Sequence, residues 1–122
     1  MARQETKAIA ALGALAQPTR MTVFRRLVKA YPDAIIAGEL ARQCSMPHNT
    51  MSAHLAILMR AGLVASEKDG RMVHYRADLP GFQALMAFLL RDCCQGRAEI
   101  CAPLMATLSC CDIQPRGKKA CV

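Results

Sequence analysis

The stretch GELARQCSMPHNTMSAHLAILMRAGLV, residues 38–64, contains two helix-like segments separated by a short break. Residues 37–44 predict a short helix, and the break follows at Ser45-Met46-Pro47. A longer helix then runs to Gly62, a residue type that suits the left-handed conformation found just after many helices. Two helices joined by so short a turn predict a helix-turn-helix.

The longer helix has two chemically different faces. At about 100° per residue, one face carries Met51, Leu55 and Leu58, which we expect to pack on the preceding helices. The other face is small or polar: Asn49, Ser52, Ala53, Ala56 and Arg60. Small side chains let a helix approach base edges in the major groove, where Asn and Ser form hydrogen bonds and Arg holds a phosphate. This face predicts DNA recognition.

Three further residues of this helix have two interpretations each. His48 and Thr50, at the helix start, are expected either to contact phosphate or to cap the helix. His54 lies at the margin of the apolar face. We weigh a structural role and a DNA-binding role for His54 equally.

A β-hairpin is predicted directly after the helix pair. Asp69-Gly70 separates two short β-like runs, Leu63-Val64 and residues 72–75, and glycine tolerates the positive φ of a tight turn. The hairpin carries four basic side chains: Lys68, Arg71, His74 and Arg76. Beside a recognition helix, such a hairpin is a wing that can follow the minor groove or the DNA backbone. The alternative is a solvated turn whose charges only aid solubility.

The composition agrees with a nucleic-acid partner. The 122 residues include 16 Lys+Arg against 9 Asp+Glu, a formal charge of +7 that favours a polyanion, either nucleic acid or an anionic membrane. Aromatic residues make up only 4% and Trp is absent, so helix-favouring Leu, Met and Ala must form the core. The predicted fold class is mainly α with a β-hairpin wing, a winged helix-turn-helix.

Three other helices are predicted, at residues 5–16, 18–31 and 80–94. The first has a face that packs either on the core or on a partner chain, formed by Ile9, Leu12 and Ala16. The second has a stripe expected to be core, formed by Met21, Phe24, Leu27, Val28 and Tyr31. The last is apolar nearly all round, more than so short a chain can cover. We therefore expect a homodimer through the terminal helices.

The chain is expected to form one domain and a tail. Residues 1–103 are predicted as the winged helix-turn-helix domain with its dimerisation helices, and residues 104–122 as a flexible, basic, cysteine-containing tail. No signal peptide is visible, and no apolar run approaches the ~20 residues that span a bilayer. These features predict a cytoplasmic protein without a membrane partner.

The segments LAQPTRMTVFRRL, GELARQCSMPHNTMSAHLAILMRAGLV and EKDGRMVHYRA resemble the ArsR/SmtB family of metal-responsive winged-helix repressors. The resemblance covers about residues 8–94. Its most specific part is the run S-x-H-L-x-x-L-x-x-A-G-L-V, Ser52 to Val64, followed by G-R-x-x-x-Y, Gly70 to Tyr75.

This resemblance implies a homodimeric repressor that binds double-stranded operator DNA when effector-free and releases it on binding metal or metalloid. Carried over by position, it assigns recognition-helix and wing roles to six residues: Asn49, Thr50, Ser52, His54, Arg71 and His74.

The cysteines indicate which effector is bound. One class of the family resembles a cysteine pair on the first helix of the helix-turn-helix, where this chain has only Cys44. A second class resembles Asp and His pairs on the last helix, where this chain has Asp92 but no His. The segment CCQGRAEIC is instead similar to arsenite-responsive members, which implies the ligands Cys93, Cys94 and Cys101.

Coordination chemistry favours the same effector. Three thiolates without a fourth ligand suit a soft centre that forms three bonds, such as trivalent arsenic or antimony, whereas structural zinc usually takes four ligands. Arg91 and Arg97 would favour thiolate formation. Cys110 and Cys111 could form a further site or replace one ligand.

Other interpretations of the thiols stay open at this stage. Cys93 falls on the apolar stripe of the last helix and could be ordinary core. A redox-sensing repressor is the main alternative, in which oxidation of the cysteines releases DNA. An enzyme is disfavoured because the chain contains neither a C-x-x-C motif nor a nucleotide-binding glycine loop, and no enzyme cofactor is expected.

Overall fold

The computed structural model describes residues 3–94, 99 and 102–103. Within them the elements are α1 Arg3–Leu15, α2 Pro18–Ala30, β1 Ile35–Ile36, α3 Ala37–Gln43, α4 His48–Arg60, β2 Val64–Asp69, β3 Met72–Ala77 and α5 Leu79–Cys94. Contacts divide the chain into two units, Met1–Phe88 and Leu89–Val122. The first unit contains the winged helix-turn-helix. The predicted tail, residues 104–122, lies outside the described residues, and the predicted boundary at residue 103 stays a prediction.

The helix-turn-helix forms as its sequence predicts. The turn places Ser45 at φ 52, and α4 begins at His48, directly after Pro47 at the N-cap position. No side chain caps this helix, so the capping interpretation of His48 and Thr50 is wrong: proline, whose fixed φ and extended backbone suit the helix entry, already occupies the cap position. Gly62 follows the C-cap residue Ala61 and has φ +82, the left-handed conformation that was predicted for it.

The predicted hairpin is present as β2 and β3, which pair antiparallel. Gly70 in their turn has φ +65, the conformation that glycine adopts without a steric cost. A third strand was not predicted: β1 pairs with β3, with Ile35 opposite Tyr75 and Ile36 opposite His74. The sheet order is therefore β1-β3-β2, and the wing is anchored to the segment that enters α3.

The core of the first unit lies under α4. Met51, Leu55 and Leu58 have 0% exposure, which confirms the predicted inner face of the recognition helix. From α2 this core receives Val23, Phe24 and Leu27, and the Phe24 and Phe82 ring centroids lie 5.4 Å apart. Burial of these apolar side chains is the main favourable term that holds α4 in place.

The predicted core stripe of α2 is only partly correct. Phe24 and Leu27 are buried, but Met21, Val28 and Tyr31 are 39–42% exposed. Met21 and Val28 lie at the margin of the face that packs inward through Val23, Phe24 and Leu27. Tyr31 is exposed for a different reason, because α2 ends at Ala30 and the backbone of Tyr31 is no longer helical.

The first helix buries three alanines on its inward side and exposes two of its large apolar residues. Its inward side chains are Ala8, Ala11 and Ala14, whereas Ile9 and Leu12 are 63% and 44% exposed. Of the two predicted environments for Ile9 and Leu12, the core of their own chain is therefore excluded. On α5, Leu85 is buried while Phe82, Met86 and Phe88 are half-buried.

Candidate nucleic-acid interface

The outer face of α4 is open, and its residues are small or polar. Asn49, Ala53 and Arg60 are exposed, as are His48 and Thr50 at the helix start. Ser52 and Ala56 are half-buried between this face and the core face. Asn49, Ser52, Ala53, Ala56 and Arg60 thus lie on one side of α4, with His48 and Thr50 exposed in its first turn. No bulky apolar side chain lies on this side between residues 48 and 53. The helix can therefore fit closely into the major groove of DNA, which is wide enough to admit an α-helix.

His54 connects α4 to the helices behind it. The residue is half-buried, and its Nδ1 lies 3.3 Å from Nη1 of Arg20 on α2. The Nε of Arg20 donates to the backbone oxygen of Ala14, at 2.7 Å, in the last turn of α1. The contact with Arg20 supports the structural role predicted for His54. This contact involves only Nδ1 and leaves the other ring nitrogen, Nε2, available for a different partner.

Two of the four basic residues of the wing lie close to an acidic side chain, and the other two do not. Nη2 of Arg76 donates to Oε1 of Glu67 at 3.5 Å, and Nε2 of His74 lies 4.0 Å from Oδ2 of Asp69. Both acids lie on β2, and their partners lie on β3. Among the side chains that the structure describes, Lys68 and Arg71 have no acidic partner within ion-pair distance, and both are exposed near the tip of the hairpin. They are the wing cations that remain available to a polyanion.

The first helix of the helix-turn-helix neutralises its own charge. On α3, Arg42 donates to both carboxylate oxygens of Glu39, and Gln43 donates to the same carboxylate at 2.9 Å. The hydrogen bond from Arg42, followed by that from Gln43, lowers the pKa of Glu39 to about 2. Because this pKa is depressed, the ion pair persists at neutral pH and weakens only as pH falls toward 2. The charge of Arg42 is thus balanced within α3.

The predicted thiol site falls where the structure describes little. Cys93 and Cys94 occupy the last two positions of α5, but their side chains are outside the described residues, as are Cys101, Cys110 and Cys111 altogether. Cys44 is half-buried with a free thiol. In the part of the chain whose side chains are described, no three His, Cys, Asp or Glu residues come together as ligands for a metal ion.

Arg20 is the residue at this interface that sequence reasoning did not find. It precedes His54 by 34 positions, and neither residue marks the other in the sequence. The only local signal is Gln17, whose Oε1 accepts from the backbone N of Arg20 at 2.8 Å and caps α2. Within the described residues, no helix is both long and apolar enough to cross a bilayer.

Comparisons with known proteins agree with this architecture. A family model described as a helix-turn-helix domain matches residues 15–67. The transcriptional activator HlyU of Vibrio cholerae is 30% identical over 95 residues, which cover 78% of this chain and 85% of HlyU. A solved structure of HlyU has a TM-score of 0.60 at 29% identity and covers 77% of this chain and 99% of that chain. Another describes reduced HlyU, with a TM-score of 0.57, 29% identity, and coverage of 71% and 88%.

Two further solved structures are similar. One, described as a possible transcriptional regulator for arsenical resistance, is 33% identical with a TM-score of 0.58 and covers 65% of this chain and 79% of its own. The other, an ArsR family transcriptional regulator, is 26% identical with a TM-score of 0.64, with coverages of 80% and 99%. The relatives are transcription regulators and not enzymes. With its exposed recognition helix and wing, this chain belongs to the ArsR/SmtB family of winged helix-turn-helix DNA-binding transcriptional regulators.

Proposed function

We propose that this regulator is a homodimeric, arsenite-responsive repressor. It binds double-stranded operator DNA when effector-free and releases it when cysteine thiolates bind trivalent arsenic or antimony. The observation that carries the DNA-binding half of the proposal is the outer face of α4, where exposed polar and small side chains stand over a fully buried apolar face. A regulator with this task acts in the cytoplasm, where thiols stay reduced.

The recognition helix reads bases in this proposal, and the wing holds the backbone. Asn49 and Ser52 offer hydrogen bonds to base edges, while His48, Thr50 and Arg60 surround them as contacts to phosphate. His54 donates from the edge of the same face. On the wing, Lys68 and Arg71 are the phosphate contacts, with His74 behind them at the strand pair. The assignment is supported by the exposure of most of these side chains, whereas Ser52, His54 and His74 are half-buried.

Arg71→Ala is expected to weaken operator binding by a sequence-independent amount and to lower the slope of log affinity against log salt by about 1, because one phosphate contact is lost. The matched control is Arg76→Ala on the same hairpin. Arg76 is already paired with Glu67, so the same loss of charge should change the salt slope less. Fluorescence anisotropy at several salt concentrations measures both variants. Equal slopes for Arg71→Ala and the wild type would remove Arg71 from the interface.

Dimerisation through the terminal helices is supported by exposed apolar surface. Ile9 and Leu12 on α1 are large, apolar and open to solvent in the single chain. Two recognition helices are also needed to read two operator half-sites one helical turn apart. Sedimentation equilibrium of Leu12→Asp tests this interface: the variant should be monomeric where the wild type is a dimer. An unchanged mass, with Ile9→Asp unchanged as well, would exclude α1 from the interface.

The effector half rests on thiol chemistry. Cys93 and Cys94 are the last two residues of α5, and Cys101 follows in the sequence. Their three thiolates would match the three bonds of trivalent arsenic or antimony. Cys110 and Cys111 are possible replacements for one ligand. The similarity to a possible regulator for arsenical resistance supports the choice of effector. Binding would release DNA only if it shifts the dimer between two arrangements that differ in operator affinity.

Arsenite is expected to release the reduced wild-type protein from its operator, and Cys93→Ser, Cys94→Ser and Cys101→Ser are each expected to abolish release while leaving effector-free binding intact. The operator is a duplex selected by the wild-type protein from a random-sequence pool. Cys44→Ser, which removes a half-buried thiol far along the sequence from the triplet, is the matched control and should respond like the wild type. Release that persists in all three triplet variants would move the site to Cys110 and Cys111.

A thiol redox switch is the second candidate function. The observation that favours it is the similarity to HlyU, one structure of which is described as the reduced protein. The same titration separates the two: arsenite acts in the presence of reductant in the first case, and an oxidant such as peroxide acts in its absence in the second. HlyU is named an activator, so transcription in vitro from the selected operator also tests the direction of regulation.

A further inference from the structure

Arg20 lies where three helices of the winged domain meet. Its backbone N is capped by Gln17 at the start of α2, its Nε donates to Ala14 O of α1, and its Nη1 contacts Nδ1 of His54 on α4. Ala14 is 3% exposed, and Arg20 and His54 are both half-buried. One side chain therefore joins the end of α1 to the middle of the recognition helix.

The chemistry of this contact restricts the state of the histidine ring. A guanidinium group has five N–H donors and no acceptor, so Nδ1 of His54 must be the acceptor in the contact with Arg20. A neutral imidazole carries one proton, which must then lie on Nε2. While the contact exists, the Nε2–H group is the single donor that His54 can offer to another molecule.

We propose that Arg20 is a positioning residue for DNA recognition, which holds His54 in its Nε2–H form and orients that donor toward the operator. The proposal deepens the function proposed above and rests on the DNA contact of α4. Two bonds fix the guanidinium plane: the 2.7 Å bond to Ala14 O on one side and the 3.3 Å contact with the imidazole on the other. A freely rotating histidine would present a donor or an acceptor in turn, whereas this one presents a donor only.

The bond to Ala14 gives the arrangement a second consequence. Ala14 O is among the last carbonyls of α1, which have no partner within their own helix. Arg20 supplies that partner and places a positive charge at the negative end of the helix dipole. Because the Arg20 guanidinium is bonded to Ala14, displacement of the C-terminal turn of α1 would also move the group that orients His54. This is the same helix that exposes Ile9 and Leu12.

The first test is a nitrogen-15 NMR spectrum of histidine-labelled protein without DNA. In the wild type, the long-range proton couplings of His54 should show a bare Nδ1 and a protonated Nε2. In Arg20→Met, which keeps much of the stem but has no donor, His54 should become a mixture of both tautomers. Arg26→Met is the matched control, because it also removes one positive charge and one arginine hydrogen bond from α2. The bond that it removes, at 3.3 Å, goes to Gln43 and not to His54. Its His54 spectrum should match the wild type.

The second test is a double-mutant cycle on binding to the selected duplex. Arg20→Met should weaken binding about tenfold, the effect of one well-oriented hydrogen bond, and Arg26→Met by less. In a His54→Phe background, Arg20→Met should cause no further loss, because Arg20 acts through the imidazole. Arg20→Lys, which retains donors, should recover part of the affinity. Melting temperatures recorded for every variant identify any loss that comes from unfolding.

The outcomes separate this inference from the function beneath it. A wild-type spectrum with the proton on Nδ1, or an equal loss from Arg20→Met in the presence and absence of the His54 ring, would overturn the positioning role alone. Failure of the wild-type protein to select any duplex would instead overturn the proposed DNA contact itself.

Discussion

Gly81→Ala should lower the stability of the winged domain by about 3 kcal/mol or more, and its melting temperature by more than about 10 °C. Gly81 is the third residue of α5, and a Cβ built there would lie 1.9 Å from the carbonyl oxygen of Gly62 and 3.1 Å from its carbonyl carbon. A contact that short cannot be accommodated by rotating a side chain, because the obstacle is backbone. Either α5 or the end of α4 must move.

Movement of Gly62 is costly because the segment around it is tied down. Gly62 N donates to Met59 O at 3.0 Å, Leu63 N donates to Leu58 O at 3.1 Å, and Leu63 is fully buried. Movement of α5 is opposed at its first turn, where Gly81 N donates to Asp78 Oδ1 at 3.0 Å. The added methyl therefore strains hydrogen bonds on both sides of the contact.

Gly38→Ala is the matched control for this substitution. The nearest atom to a Cβ at position 38 is His48 Cδ2 at 3.9 Å, an ordinary contact, and the residue is exposed on α3. Alanine there should stabilise the domain by about 0.5–1 kcal/mol, because glycine loses more backbone entropy in a helix. Thermal unfolding at equal protein concentration measures both variants. Melting of Gly81→Ala within about 2 °C of the wild type would show that the two helices do not approach this closely in solution.

Local signals account for the parts of the fold that the sequence predicted correctly. The helix-turn-helix and the hairpin depend on Gly62 and Gly70, whose positive φ angles are needed at those two positions whatever surrounds them. The inner face of α4 follows from helical periodicity alone, because Met51, Leu55 and Leu58 are the large apolar residues of one side.

Features that depend on distant partners were not predictable. Ile35 becomes part of a strand because it pairs with Tyr75, 40 positions later, and two residues carry no strand pattern of their own. The inward side of α1 is lined by alanines, and periodicity cannot tell such a side from one lined by Ile9 and Leu12 until the neighbouring helices are in place. The role of Arg20 could not be predicted for the same reason, because its contact with His54 joins residues 34 positions apart and exists only in the folded chain.

Ala53→Glu is expected to reduce operator affinity about ten- to hundredfold relative to Ala53→Gln, the equivalent of about 1–3 kcal/mol. Ala53 is exposed on the outer face of α4, between Asn49 and Arg60. Glutamate and glutamine have nearly the same size and similar helix propensity, so the pair isolates the charge from steric hindrance and from stability. A carboxylate at this position would face the phosphates of both groove walls and would cancel one cation of the recognition surface.

The salt dependence of this pair identifies the cause of the loss. If repulsion by phosphate weakens Ala53→Glu, the ratio between the two variants should shrink as salt is raised, because exposed charges are screened beyond about 10 Å at 0.1 M. Anisotropy titrations of both variants against the selected duplex, between low and moderate salt, measure this ratio. Equal affinities for the two variants at every salt concentration would mean that the outer face of α4 does not lie against DNA, and the recognition surface would then have to be sought on another element.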